Sequence, residues 1–194
     1  KVLLLNIAKF EDLIILKSFF IEFDFRIEIL STITLPGISN KMNLEGFAVF
    51  QSAQGTVFIY GDRGSNKRKS TLITAFFDPQ NNKIDTIEKF IIDLPIPEKS
   101  KRNIADIAID KNGAVWTVAT SDPGNNGPFK SAIYQIGHLN NVGTFNYNHP
   151  DLLKPLIVID EQKIEAMMFK DNELVLMTDN ENNGSSYFSI KEAF

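Results

Sequence analysis

The sequence of 194 residues has no cysteine, one tryptophan and only two histidines. Without cysteine, disulfides, thiolate nucleophiles and cysteine-ligated zinc are excluded. The histidines, His138 and His149, do not stand at a spacing typical of metal ligands. No apolar run reaches the ~18 residues that a membrane-spanning helix needs, and the formal net charge of −4 gives no sign of a nucleic-acid-binding surface. We therefore expect neither a membrane span nor a nucleic-acid partner.

What the sequence does contain is a pattern that recurs three times. The copies occupy residues 43–50, 103–109 and 163–169. Each copy places one carboxylate after a small or aliphatic residue and before a short apolar run. These carboxylates, Glu45, Asp106 and Glu165, are 61 and 59 residues apart. A nearly fixed period with the same internal pattern indicates a repeat architecture.

Each complete repeat has the pattern of four short strands separated by turns rich in glycine, asparagine and proline. A four-stranded antiparallel unit of about 60 residues is typical of a propeller blade. The sequence therefore predicts an all-β fold, with a single β-propeller domain over residues 1–194. The predicted blades cover residues 40–98, 99–160 and 161–194.

The last repeat is one strand short, and a lone strand precedes the first repeat. Residues 21–35 alternate apolar and charged side chains, and this period of two indicates a half-buried strand. We predict that this strand closes the ring beside residues 187–190, because folded proteins avoid long exposed edges. Residues 1–20 form an apolar N-terminal segment. Two buried strands are favoured there over a signal peptide, because charges interrupt the apolar run.

The number of blades leaves the ring incomplete, because propellers typically have about 4–8 blades. Three explanations are open. Residues 1–20 add a short blade, two chains share one ring, or the chain is a portion of a longer protein. We favour the third, and we expect self-association or a longer parent chain.

Six carboxylates are predicted to gather on one face of the propeller. In an up-and-down blade, the loop that enters the first strand and the loop that leaves the second strand lie on the same side. Three carboxylates begin first strands and three follow second strands: Glu45, Asp106 and Glu165, and then Asp62, Asp122 and Asp179. Anions so close together raise one another's pKa or require a counter-charge.

Three roles are open for these carboxylates. The first is a calcium site, since calcium takes about six to eight oxygen ligands. Its candidate ligands are Glu45, Asp106, Glu165, Asp62 and Asp179. The second role is structural: the carboxylates accept hydrogen bonds from backbone N–H groups of the neighbouring blade, or Arg63 or Arg102 reaches inward to offset them. The third is catalysis without a metal.

Two polar loops bear on ligand binding. Residues 179–184 resemble the start of a calcium-binding loop but depart from it at Glu181, so an ordinary turn is favoured. The Lys-Arg-Lys run at residues 67–69 is most simply a solvated loop, and it follows Arg63 closely in sequence. We predict that Arg63 and Asp122 contact an anionic small molecule near the acidic face.

The segment 43–48, Asn-Leu-Glu-Gly-Phe-Ala, resembles the N-x-E-G strand of a family of bacterial propellers described as having the esterase-like activity of phytase. It is similar also to the same strand in related uncharacterised bacterial propellers. Residues 104–120, with their Asp-Lys-Asn-Gly turn, and residues 163–179 resemble later blades, so the resemblance covers about residues 40–190. It implies a propeller with a calcium-dependent or phosphoesterase activity, in a secreted or periplasmic protein, and it assigns no catalytic residues.

Three functions compete at this point. The leading one is a phytase-like or esterase-like propeller that binds a cation and an anionic small molecule on its acidic face and hydrolyses an ester. The second is a non-enzymatic propeller that binds a protein partner, and the third is a partial propeller that acts only within an assembly. A metal with open coordination positions would favour the first. A large exposed apolar patch without a metal would favour the second.

Overall fold

The computed structural model describes residues 2–6, 12–21, 24–65, 67–78 and 80–191. Within these ranges the chain is built of antiparallel strands, with two short 3-10 helices at Pro150–Leu152 and Glu181–Asn183. The predicted all-β class is therefore confirmed. Neither of these helices has the length and apolar character needed to cross a lipid bilayer.

The strands form four sheets, which we number I to IV in chain order. Sheet I contains β1 (Val2–Asn6), β2 (Asp12–Ile21) and β3 (Asp24–Thr34). Sheet II contains β4 (Leu44–Ser52), β5 (Gly55–Asp62), β6 (Ser70–Asp78) and β7 (Lys83–Ile92). Sheet III contains β8 (Lys101–Ile109), β9 (Ala114–Ser121), β10 (Lys130–Leu139), β11 (Phe145–Tyr147) and β12 (Ile157–Asp160). Sheet IV contains β13 (Ile164–Lys170), β14 (Glu173–Thr178) and β15 (Tyr187–Lys191).

The β8–β9 hairpin shows how local chemistry fixes the strand ends. Asp110 Oδ1 accepts hydrogen bonds from the backbone N–H of Asn112 at 2.8 Å and of Ala114 at 3.0 Å. Gly113 has a φ of +88°, in the left-handed region that glycine adopts without steric cost. The Asp-x-Asn-Gly sequence therefore specifies the turn that brings β8 and β9 into register.

Sheet II is covered on both of its faces. One face contributes Val57 and Ile59 to a buried cluster that also contains Tyr134 of sheet III. The other face contributes Phe58 to a second cluster that also contains Leu35, the residue directly after sheet I. Because successive residues of a strand point to opposite faces, the continuous apolar run of β5 serves both clusters.

Sheet III is likewise packed between two neighbours. Every residue of β9 is buried. Trp116 and Ile133 lie on the face that packs against Leu174 and Leu176 of sheet IV. Burial of each such side chain contributes roughly 1.5–3 kcal/mol of hydrophobic free energy. The first strands of sheets II, III and IV, which are β4, β8 and β13, lie side by side, so the sheets stack in chain order.

Glycine allows the closest approach between sheets II and III. Gly46 of β4 pairs with Gly61 of β5. A Cβ atom on Gly46 would lie 2.5 Å from Ile107 Cγ1, and a Cβ atom on Gly61 would lie 2.7 Å from Ile104 Cδ1. The absence of these two side chains therefore lets the first strand of sheet III lie directly on sheet II.

The strand predicted to close the ring has a different partner. Asp24–Thr34 pairs with Asp12–Ile21 along its length, from Ile21 opposite Asp24 to Asp12 opposite Thr34. Tyr187–Lys191 pairs with Glu173–Thr178. The structure shows no pairing between the first and last sheets among the described residues, so closure by residues 22–34 is corrected to a local hairpin. A closed propeller ring is not formed by these residues.

Candidate functional site

Each of the three repeated carboxylates lies at or beside an irregularity in the first strand of a sheet. The register shifts between Leu44 and Gly46 around Glu45, and between Ile164 and Ala166 around Glu165. In sheet III the register shifts between Arg102 and Asp106. A bulge leaves a residue without a direct partner and re-aims its side chain. Glu45 and Glu165 are therefore bulged residues, whereas Asp106 lies directly opposite Val118 at the end of the irregular stretch.

Arg102 connects three sheets through its guanidinium. Its Nη1 lies 3.6 Å from Glu45 Oε1 of sheet II and 3.5 Å from Glu165 Oε1 of sheet IV. Its Nη2 donates a hydrogen bond to Asp122. Glu45 also accepts a hydrogen bond from Arg63 Nη1 at 3.1 Å. The arginines named beside calcium as counter-charges for these carboxylates thus both reach them.

Lys163 adds a third cation to this group. Its side chain is only 4% exposed, and Nζ lies 3.2 Å from Glu165 Oε1 and 3.8 Å from Asp122 Oδ1. Nζ also donates to Glu181. Burial opposes the charge of Lys163, but the contacts with Glu181 and Glu165 leave its pKa raised. We refer to Arg63, Arg102, Lys163, Glu45, Asp122, Glu165 and Glu181 as the central ion cluster.

The carboxylates of the cluster are not fully compensated. Burial raises the pKa of Glu45, although Arg102 and Arg63 act in the opposite direction. Burial also raises the pKa of Glu165 against the effect of Lys163 and Arg102. Glu45 Oε2 is buried and has no hydrogen-bond partner. Burial therefore disfavours the ionised form of these carboxylates, and the nearby cations offset only part of that effect.

Asp106 has the structural role that the sequence left open. Its Oδ1 accepts the backbone N–H of Ile107, and its Oδ2 accepts that of Met167 in sheet IV, each at 2.8 Å. Its backbone oxygen accepts the hydroxyl of Thr117 at 2.8 Å. Burial raises the pKa of Asp106 to about 6 against these hydrogen bonds. Asp106 is therefore a clamp between sheets III and IV.

The remaining candidate ligands lie apart from this clamp. Asp62 is buried, accepts the backbone N–H of Asn43 at 2.8 Å and binds Arg68 through both of its oxygens. Asp179 is exposed, and its Oδ1 accepts the backbone N–H of Glu181 at 3.2 Å. In the part of the chain that the structure describes, no three His, Asp or Glu side chains form a group able to hold a metal.

The calcium implied by the resemblance does not fit these residues. Each of these side chains already pairs with a guanidinium, ammonium or backbone N–H group through at least one oxygen, and Glu45 Oε2 is a buried oxygen left without a partner. A divalent cation at the cluster would also lie beside the positive charges of Arg63, Arg102 and Lys163. The geometry favours the counter-charge explanation, and calcium binding stays a prediction for experiment.

Chelation tests this point directly. We expect the melting temperature of the protein to be the same with a chelator and with added calcium, because a ligand stabilises only a state that it binds. Glu45→Gln should lower the melting temperature equally in both buffers, and Asp151→Asn, in an exposed segment, should leave it unchanged. If chelation lowers the melting temperature of the wild-type protein but not that of Glu45→Gln, the result would support a calcium site.

Two adjoining depressions lie beside the cluster. The inner pocket has a volume of about 150 Å³ and is lined by Arg63, Ser65, Ser100, Lys101, Arg102 and Asp122. It contains both residues predicted to contact an anionic ligand. A larger depression of about 530 Å³, which we call the basic cleft, shares Ser65, Ser100 and Lys101 with it.

The basic cleft carries more positive than negative charge. Its cationic side chains are Lys67, Arg68, Lys69, Lys99 and Lys101, and its carboxylates are Asp93 and Glu98. Asp93 is paired with Lys69 at 3.2 Å and with Lys101 at 3.0 Å. Lys67 and Lys99 are exposed and form no ion pair with a described residue. The sequence indicated the run at residues 67–69, but only the fold brings Lys99 and Lys101 beside it.

Sequence reasoning missed two members of the cluster. Lys163 occupies the place that Asn43 and Asn103 occupy in the earlier copies, and this departure from the repeat was the available signal. At Glu181 the sequence predicts only an ordinary turn that departs from a calcium loop. Both histidines lie outside the pockets: His138 Nε2 bonds to Asn112 O at 2.7 Å, and His149 caps the helix Pro150–Leu152.

The chain was compared with protein-family models and with curated proteins, and neither comparison finds a match. The resemblance to esterase-like phytase propellers stays a prediction.

Proposed function

We propose that this chain is part of a propeller-type protein that binds an anionic small molecule, with its negative group in the basic cleft and inner pocket. The observation that carries this proposal is the surplus of cations in a concave site on a chain of net charge −4. Concave sites with one sign of charge concentrate ligands of the opposite sign. A phosphate group is the simplest ligand with the required charge and size.

The site is held in place by backbone hydrogen bonds. Arg63 N–H donates to Asn43 O at 2.9 Å, and Arg63 O accepts the N–H of Asn103 at 2.8 Å. On the other side, Asp122 N–H donates to Ser100 O at 2.7 Å. These bonds fix the loops that carry the lining residues before any ligand arrives. A ligand therefore binds without the cost of ordering the site.

The two groups of cations have different tasks in this proposal. Arg63 and Arg102 are held by carboxylates, and each guanidinium has five N–H donors, so donors remain for a ligand in the inner pocket. Lys67 and Lys99 have exposed ammonium groups that adapt to a ligand in the basic cleft. Neither histidine lines these pockets, so the residues proposed to contact the ligand are arginines and lysines. Ester hydrolysis stays an expectation from the resemblance.

Charge reversal at the two exposed lysines tests the proposal. We expect inorganic phosphate to bind the wild-type protein, and the double variant Lys67→Glu/Lys99→Glu to bind it at least about tenfold more weakly, because each reversal removes about 1 kcal/mol of attraction or more. The measurement is a phosphate titration followed by NMR or calorimetry at low ionic strength, where surface charges are least screened.

Lys111 provides a matched control for this experiment. It lies in the β8–β9 turn, at the end of β8 opposite to the cleft, where its Nζ donates to Asn172 Oδ1 at 2.7 Å. Lys111→Glu makes the same change in net charge as either single reversal and should leave phosphate binding unchanged. Equal binding by the wild type and the double variant would rule out the basic cleft as the site.

A second candidate function rests on the outer face of sheet IV. Met168, Met177 and Tyr187 are 48%, 48% and 76% exposed there, and Tyr187 stands directly opposite Met177 in the sheet. The other face of the same sheet packs on sheet III. Because sheets II and III are covered on both faces, this apolar face fits a further β-sheet, as in an assembly module.

Oligomeric state distinguishes this candidate. If a second copy of the chain supplies the covering sheet, light scattering should show a dimer at micromolar concentration. Met177→Lys should give a monomer, because dimerisation would bury an unpaired charge in the interface. Val158→Lys, at another exposed apolar residue, is the control and should remain dimeric. A monomeric wild-type protein would contradict self-association through this face.

A further inference from the structure

A third depression adjoins the basic cleft, and residues 98–100 form the wall that both of them share. It has a volume of about 450 Å³ and shares Glu98, Lys99 and Ser100 with the basic cleft. Its remaining lining is mainly apolar and includes Ile96, Pro97, Pro123 and Pro128. We call it the proline cleft.

The wall between the two clefts is fixed by buried partners. The N–H of Ile96 donates to Tyr134 Oη at 2.9 Å, and the Tyr134 hydroxyl donates to Ile96 O at 3.1 Å. The Tyr134 side chain is fully buried. The N–H of Leu94 donates to Asn103 Oδ1 at 2.9 Å, and Ser100 O accepts the N–H of Asp122. Both clefts are therefore formed before a ligand binds.

The two clefts offer different chemistry. The basic cleft presents ammonium and guanidinium groups, whereas proline rings present apolar faces without N–H donors. Lys130, at the rim of the proline cleft, is paired with Asp160 at 2.9 Å. Ser121 Oγ accepts the N–H of Lys130 at 2.7 Å. The polar groups of the proline cleft are thus largely satisfied, which leaves a surface suited to an apolar ring.

From this juxtaposition we infer that the ligand is a phosphate ester or similar anion that carries a ring-shaped apolar group. The anionic group lies in the basic cleft, the ring lies in the proline cleft, and Lys99 lines both. This inference rests on the proposed function, because it extends the same anion site by a specificity subsite. It predicts that affinity depends on the ring as well as on the charge.

A series of monoesters with one head group tests the inference. Methyl, phenyl and 1-naphthyl phosphate carry the same charged group and differ in apolar area, and about 25 cal/mol is gained per Å² of apolar area buried. We expect the affinity of the wild-type protein to rise about tenfold or more from the methyl to the naphthyl ester. Pro123→Ala should reduce this rise and leave the affinity for methyl phosphate unchanged.

Two comparisons make the outcome specific. Pro155→Ala, at a proline outside all three depressions, should keep the full rise. Lys67→Glu should weaken the binding of all three esters by the same factor, because the charged group is common to them. If phosphate binds but the three esters bind equally, or if Pro123→Ala keeps the full rise, the ring subsite is overturned and anion binding stands. If neither phosphate nor any ester binds, the anion site is overturned as well.

Discussion

Replacing Arg102 with methionine is expected to lower the free energy of unfolding by about 3 kcal/mol near neutral pH, as for the loss of one member of a buried ion pair. Arg102 is only 16% exposed and lies between Glu45, Glu165 and Asp122. Methionine fills a similar volume, so the loss reports on charge. The three carboxylates would be left with Arg63 and Lys163 alone. Urea unfolding measures the change.

The pH dependence of this variant identifies the cause. In the wild-type protein, burial raises the pKa of both Glu45 and Glu165, and Arg102 acts against that rise. Without Arg102 both pKa values should rise further, so acidification should protonate these groups and restore part of the lost stability. Lys130→Met, which breaks an exposed pair with Asp160, should cost less than about 1 kcal/mol. Equal losses in the two variants would show that the central ion cluster does not hold the sheets together.

The sequence predicted the strands better than it predicted their partners. The apolar alternation of residues 21–35 correctly indicated a strand, but alternation does not say which strand lies beside it. The partner, Asp12–Ile21, ends only two residues before Asp24–Thr34 begins. So short a separation favours a hairpin, which is the commonest local solution for two consecutive strands. The short connection therefore outweighs the missing fourth strand of the last repeat in deciding the partner of Asp24–Thr34.

The repeated carboxylates were found by spacing alone, but their chemistry depends on side-chain length and on neighbours. Glu45 and Glu165 have the longer side chain and lie within reach of Arg102 from the adjoining sheet III. Arg63 and Lys163, next to their own strands, also contact them. Asp106 is shorter and accepts hydrogen bonds from backbone N–H groups instead. A repeat pattern identifies equivalent positions along the chain, but it does not indicate which counter-charge the fold brings to each one. Lys99 illustrates the same limit, because the connection between sheets II and III brings it to the cleft.

Acidification is expected to raise the contribution of Asp106 to the stability of the folded protein, because protonation relieves its buried charge. Burial raises the pKa of Asp106 in the folded protein to about 6, above its ordinary value of 3.8. A proton therefore binds the folded state more tightly than the unfolded state. The stability that this group contributes is fully present below about pH 4 and is lost as the pH rises through about 6, and the difference amounts to roughly 3 kcal/mol. Unfolding free energies measured between about pH 4 and pH 7 should show this contribution.

Asp106→Asn isolates this group from the other carboxylates. Asparagine does not titrate. Its NH₂ group would face one of the two backbone N–H groups that donate to Asp106, and this mismatch lowers the free energy of unfolding by about 1–3 kcal/mol at every pH. The stability of the wild-type protein minus that of the variant should therefore grow as the pH falls from about 7 to about 4. Shifts at groups such as Glu45 and Asp93 are common to both proteins and largely cancel. Asp151→Asn, at an exposed site, should give a pH profile parallel to that of the wild type. Parallel profiles for Asp106→Asn would show instead that Asp106 stays ionised throughout this range, and that its two backbone hydrogen bonds outweigh its burial.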